Sequence, residues 1–282
     1  MSGPARAFEQ RREALITRLE ALAGHDQRIV ALWLQGSLAA GTADALSDVD
    51  AYLAIADEQF DAVYAARLQL AAMLGDVLAW ADAIVPGLNA LHCVLAGPVK
   101  LDLFFERASQ APNVNRPAVR VLVDKAGLGP RLKTGWRPSP ASTAQRMDAV
   151  FRGTRQGCTW PVRLLLRGQW SIFAMAELEV INDNLALLMA VQTDPALLFH
   201  NRFSYPRLLR PEQRAELDGL TRVLLEAVVR RDLAAMRDAH LRIYDALVRE
   251  GRAAYAALGM EYPGTEAGDA AIRAFYERDW PR

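Results

Sequence analysis

The stretch Leu34-Gln35-Gly36-Ser37-Leu38-Ala39-Ala40-Gly41-Thr42-Ala43-Asp44-Ala45-Leu46-Ser47-Asp48-Val49-Asp50-Ala51-Tyr52-Leu53 reads as the end of an apolar strand, a Gly-Ser turn, a loop of small residues, and a second strand that opens on two aspartates. Strand side chains alternate faces, so Asp48 and Asp50 share one face while Val49 and Ala51 turn towards an apolar core. Two carboxylates side by side on a half-buried strand repel each other and are costly without a cation. Oxygen ligands of this kind suit a hard ion such as Mg²⁺, which takes one or two protein carboxylates together with substrate phosphates. Gly36, having no Cβ, lets a phosphate come close to the backbone. Ser37 adds a hydroxyl and an N–H, and a short helix starting near it would turn its free N–H groups and dipole on the same anion. These pieces describe a triphosphate held at a turn, with metal between it and the aspartates.

Outward from this stretch, Ile29–Leu34 is a buried strand and Asp48–Ala56 the second strand. Leu15, Leu19 and Leu22 form one stripe of a helix over residues 5–23. Phe60, Val63, Leu68 and Met73 predict a crossover helix over Gln59–Leu74. Three extended runs follow, Val77–Val85, Leu88–Leu95 and Val99–Phe105, separated by turns at Gly87 and Gly97-Pro98, and a last strand ends at Asp124. Strands mixed with a few helices predict an α/β (α+β) domain with a mixed β-sheet over residues 1–130. The Pro- and Gly-rich stretch Gly129–Ser142 reads as a linker. Beyond it the period is helical: Leu164–Ala190 gives one or two helices, Leu217, Leu220, Leu224 and Val228 one stripe, and Met236, His240, Ile243 and Leu247 another. Residues 142–282 are therefore expected to form an α-helical bundle.

The 282 residues are 52% apolar, enough for real cores, and carry a formal net charge of zero. That balance argues against nucleic acid as a partner. The basic residues are nearly all arginine; the lysines are Lys100, Lys125 and Lys133. Cys93 and Cys158 sit in apolar surroundings without metal-ligand spacing, and the four histidines form no zinc pattern. Reduced thiols, a charged N-terminal helix in place of a signal segment, and no apolar run of membrane-spanning length predict a cytoplasmic protein with no membrane association.

The ordered set Gly36-Ser37, Asp48-x-Asp50 and a third carboxylate on a later strand, Asp102 in Val99-Lys100-Leu101-Asp102-Leu103-Phe104-Phe105, resembles the nucleotidyltransferase superfamily typified by DNA polymerase beta. The extended form Gly-Ser-x-x-x-Gly-Thr-x-x-x-x-Ser-Asp-x-Asp looks most like the small-molecule branch, the aminoglycoside and lincosamide nucleotidyltransferases. An Arg167-Gly168 step followed by Trp170 is loosely similar to the same branch. The resemblance implies Mg²⁺-dependent transfer of a nucleoside monophosphate, with ATP as donor, to a hydroxyl of a small molecule, and release of pyrophosphate. It implies nucleotide contacts from Gly36, Ser37, Thr42 and Ser47. Asp48 and Asp50 would hold the metal that grips the triphosphate, and Asp102 would ligate a second metal, act as general base, or do both.

Other residues are read from position alone. Lys100 shares a strand face with Asp102; it pairs with it, reaches a phosphate, or stands in solvent. Lys125, after the last strand, is a candidate contact for the leaving pyrophosphate. Asp44 reads as a solvated turn residue and not a ligand. Arg152, Arg155 and Arg163 read as a solvated helix face. The acceptor is expected in a cleft between the domains. Trp160, Trp170 and Glu177, a carboxylate in an otherwise apolar helix, are its candidate contacts; for the tryptophans the competing reading is core packing. A tRNA- or protein-directed member of the superfamily, or a non-catalytic nucleotide-binding protein of the same fold, are the alternatives.

Overall fold

The computed structural model describes residues 3–83, 88–97, 99–199 and 208–282. The chain forms two compact units, Met1–Arg137 and Pro138–Arg282. The expected architecture holds: a mixed α/β unit precedes an α-helical one.

In the first unit the order is α1 (Gly3–His25), β1 (Ile29–Leu34), α2 (Gly36–Ala40), β2 (Val49–Ile55), α3 (Phe60–Ala65), α4 (Arg67–Leu74), β3 (Val77–Asp82), β4 (Ala90–Leu95), β5 (Val99–Arg107), β6 (Asn115–Arg116), β7 (Arg120–Asp124) and β8 (Lys133–Thr134). Six strands make one sheet in the order β3-β4-β5-β2-β1-β7. The β2–β5 pair is parallel and every other pair in it is antiparallel. The two faces are covered differently. Leu32, Leu34, Val49, Ala51, Leu53, Leu101 and Leu103 pack with Leu15 and Leu19 of α1 and Phe60, Val63, Leu70 and Leu74 of α3–α4. Trp33 and Ala54 belong to a smaller cluster with Ala111, Leu128 and Leu132, and Tyr52 packs against it. Asp50 lies on this second face, as alternation along β2 requires.

The expected crossover helix is broken at Ala66, where Arg67 Nη1 donates to the Tyr64 carbonyl at 3.1 Å and takes a group the helix would have used. Its buried stripe is Phe60, Val63, Leu70 and Leu74, and Met73 turns to solvent. The predicted turn at Gly87 and the end of the run Val77–Val85 lie outside the described residues, as does Pro98. The expected linker is ordered in part: Leu132 is buried against the Trp33 cluster, and β8 pairs in parallel with β6. Two-residue strands carry too little periodicity to be read from sequence.

The second unit holds α5 (Pro140–Gln156), α6 (Trp160–Leu166), α7 (Trp170–Glu179), a π-helical segment (Val180–Leu185), α8 (Ala186–Val191), α9 (Pro211–Arg230), α10 (Leu233–Ala257) and α11 (Glu266–Asp279). Gly168 ends α6 in the left-handed region at φ 68, which separates α6 from α7. Met236, His240, Ile243 and Leu247 are all buried, the stripe expected for α10. Ser139, Asp232 and Thr265 cap α5, α10 and α11 by accepting from Ser142, Ala235 and Gly268 backbone N–H groups.

Gly251 of α10 lies against Phe151 of α5, so closely that a Cβ there would fall 2.3 Å from the ring. Gly251→Ala is expected to destabilise the protein by about 1–2 kcal/mol: overpacking costs about 1–3 kcal/mol, and the better helix propensity returns up to about 1 kcal/mol. Urea unfolding measures this, and a variant as stable as the parent would contradict the contact.

Candidate functional site

Parallel pairing of β2 with β5 places Asp50 directly beside Asp102, and antiparallel pairing of β4 with β5 places His92 on the other side of Asp102. Asp48 enters from the loop before β2. Oxygens of Asp48, Asp50 and Asp102 all lie within 4.8 Å of one another.

The local geometry explains how these residues are presented. The Gln35 N–H donates to the Asp50 carbonyl at 3.0 Å, and Gly36 follows with φ +61. A Cβ on Gly36 would lie 2.2 Å from Asp50 Oδ2, so only glycine admits the carboxylate at this spot. The loop from Gly41 to Ser47 is closed by Ser47, whose hydroxyl donates to Asp44 Oδ1 at 2.9 Å and accepts from the Asp44 N–H at 3.0 Å. Buried Arg12 of α1 donates to the Asp44 carbonyl. This framework fixes where Asp48 begins.

The carboxylates repel, and the protein answers with one amine. Lys100 Nζ donates to Asp48 at 3.0 Å and to Asp102 at 2.5 Å. Burial works against its ammonium, but the bonds to Asp102 and Asp48 outweigh burial and hold its pKa above the usual lysine range. Asp50 has no such bond. Burial, then the charges of Asp48 and Asp102, push its carboxyl up to about 6 against the partial relief of Lys100 and His92. Asp102 is 7% exposed. His92 Nδ1 comes to 2.9 Å from its Oδ1 but outside hydrogen-bonding geometry, so Oδ1 is buried with no donor. Three hard oxygens, one of them orphaned, suit a divalent cation.

The remaining expected residues divide. Ser37 is in the first turn of α2, half-buried, with its carbonyl accepting from Thr42. Thr42 is exposed in the loop. Ser47 is buried, and its hydroxyl bonds Asp44 within the loop. Asp44 is exposed and takes part in the turn, as read from sequence. Lys125 is not brought to the site. β7 runs antiparallel to β1, so its end lies beside the start of β1, away from Gly36, and Lys125 Nζ donates to the Asp26 carbonyl at 2.9 Å.

In the second unit Trp160 is 58% exposed and Trp170 packs against the core. Glu177 is not open to a ligand through its carboxylate: it is 2% exposed and accepts from or pairs with His240 Nδ1 at 2.9 Å. Its apolar surroundings on α7 signalled a need for a partner; that the partner comes from α10 is a tertiary fact.

His92 escaped the sequence reading. A hairpin centred on Gly97 pairs residues equidistant from it, which puts 92 opposite 102. Arg12 carried no signal, because its target is a backbone carbonyl in a distant loop.

Because the folded pKa of Asp50 exceeds that of an ordinary aspartate, its proton is retained on folding between about pH 4 and 6. Stability from this group is present below that window and lost as pH rises through it, by no more than about 3 kcal/mol for a shift of this size. In EDTA, Asp50→Asn is expected to be more stable than the parent above pH 6, with the gap closing towards pH 4. Parallel urea titrations across that range test it, and a constant or reversed gap would count against the assigned repulsion.

No protein-family model matches the sequence, and no curated protein matches it. Among solved structures, an aminoglycoside 6-adenyltransferase from Bacillus subtilis is similar at 15% identity and a TM-score of 0.34, over 96% of this chain and 98% of that one. A likeness of that depth assigns no activity to this chain.

Proposed function

We propose that the protein transfers a nucleoside monophosphate, AMP from ATP, to a hydroxyl of a small molecule of the aminoglycoside or lincosamide kind, in the cytoplasm, with Mg²⁺ as cofactor. The observation that carries the reading is the triad Asp48, Asp50 and Asp102 assembled behind the Gly36 turn, with ligand oxygens within 4.8 Å. Neutral net charge supports a small acceptor over nucleic acid, and no described helix is long and apolar enough to cross a membrane.

In this reading the acceptor oxygen attacks the α-phosphorus in line, the bond to the bridging oxygen breaks, and pyrophosphate leaves. Mg²⁺, when bound, neutralises the phosphate oxygens and the developing charge on the leaving group. Asp48 and Asp50 would hold it. The backbone of Gly36 and Ser37 binds the triphosphate, and Gly36 does so without displacing Asp50. Asp102, with one free oxygen, accepts the acceptor's proton or ligates a second ion. Lys100, which bonds Asp48 and Asp102, stands where its ammonium could also donate to the phosphates. Trp160 remains a candidate acceptor contact; Lys125, Ser47 and Glu177 do not enter the mechanism.

Mg²⁺ and ATP are expected to bind synergistically, because each completes the other's site. Calorimetric titration of ATP with and without Mg²⁺ tests this, and equal affinities would remove the metal role. Asp102→Asn keeps the shape and loses the charge. It is expected to lower kcat at least about a hundredfold with little change in ATP affinity, the low end for a general base. The acceptor for that assay comes from an antibiotic screen with labelled ATP, GTP, CTP and UTP. Collapse of ATP affinity with turnover intact at saturation would make Asp102 a ground-state ligand.

A further inference from the structure

Lys100 already supplies one cation to the triad. It lies two residues before Asp102 on β5, and so on the same face. Its Nζ donates to Asp48 Oδ2 at 3.0 Å and to Asp102 Oδ2 at 2.5 Å. Among the described residues no other group donates a hydrogen bond to either carboxylate, and the carboxylate of Asp50 receives none. The ammonium thus occupies two of the three acids whose oxygens gather within 4.8 Å.

A second cation cannot share those oxygens without strong repulsion. Mg²⁺ lies about 2.0–2.1 Å from its oxygen ligands, so an ion on the Asp102 oxygen that Lys100 uses would lie within about 5 Å of Nζ. Like charges at that separation repel strongly in a half-buried site. A dication bound there requires the amine to leave. The lysine is free to do so: its side chain is 49% exposed on a flexible four-carbon stem, whereas the side chain of Asp102 is 10% exposed and stays in place. Leaving breaks two charge-assisted hydrogen bonds. Water replaces them only in part, while a polyphosphate offers the ammonium anionic oxygens again.

We propose that Lys100 is an internal counter-cation that competes with the dication for Asp48 and Asp102, so that the metal binds tightly only when a polyphosphate takes up the displaced ammonium. Lys100 in this role is a positioning residue: it couples the two ligands before any chemical step. The coupling rests on the nucleotidyl-transfer reading for its polyphosphate, whereas the competition for the acids does not.

Binding of Mn²⁺, a hard ion that takes the same oxygen ligands, tests this without turnover, because its free form is counted by electron spin resonance. Titrations are run with and without ATP, and only binding that Asp50→Asn weakens is assigned to the triad. Lys100→Met removes the charge and keeps most of the stem. Lys100→Gln, which keeps a donor, serves if the first variant does not fold, and Lys100→Arg keeps the cation. Without ATP, Lys100→Met is expected to bind Mn²⁺ about tenfold or more tightly than the parent, a change in the range of coupled sites, and Lys100→Arg is not. The tightening of Mn²⁺ binding by ATP is expected to shrink in Lys100→Met by a similar factor. If neither neutral variant binds Mn²⁺ alone more tightly than the parent, the proposal is overturned, and ATP-dependent Mn²⁺ binding by the parent leaves the nucleotidyl-transfer reading standing. Tighter Mn²⁺ binding by the neutral variants, with ATP changing nothing in any protein, keeps the competition and overturns both the coupling and that reading. Absence of Asp50-dependent Mn²⁺ binding throughout, with or without ATP, overturns both.

Discussion

Asp50 and Asp102 stand side by side because β2 and β5 pair in parallel, in a register that sets residue 50 against residue 102. With Asp48 entering from the loop, three carboxylates share a few ångströms, and burial strengthens their repulsion. Much of the surrounding structure answers to that charge. Lys100 bridges two of the three carboxylates, His92 stands beside Asp102, and burial together with its acidic neighbours pushes the Asp50 carboxyl up to about 6. Gly36 has no Cβ, and one there would displace Asp50. Gathered acids of this kind cost stability, and their spacing is compatible with a divalent cation.

The two faces of the sheet divide the labour. One is packed against α1, α3 and α4 and holds the apolar core. The other trades packing for chemistry: it runs from the acids to the stacked rings of Trp33, Tyr52 and Phe104, and Arg116 holds the segment that walls it. Residues two apart on one strand therefore differ in kind, carboxylate then aromatic ring.

The helical unit shows the opposite treatment of buried charge. Glu177 and His240 are nearly sealed from water and pair with each other, and Arg155 and Arg252 both meet Asp269. Each of these acids is matched by a base from another helix, which is how charges persist inside a bundle. The triad contrasts with this: one lysine bonds two of its three acids and the third, Asp50, has no such bond, an arrangement compatible with a divalent cation.

Local periodicity in the sequence determined β1, β2 and the strand of Asp102, the side that Asp50 and Asp102 face, and the α10 stripe through His240, because alternation and helical spacing are properties of neighbouring residues, whereas Asp48, expected on the strand, lies in the loop before it. The sequence singled out Gly36 for the approach of a phosphate; that a Cβ there would meet Asp50 is a tertiary fact. Pairing partners, strand direction and register were decided by the tertiary structure, since they depend on which apolar faces become buried together. Parallel pairing brought residue 102 to residue 50; antiparallel pairing carried Lys125 to the far end of β1; a hairpin centred on Gly97 delivered His92; and helix packing gave Glu177 to His240. The sequence by itself named the acids, and the sheet's register decided which bases stand among them.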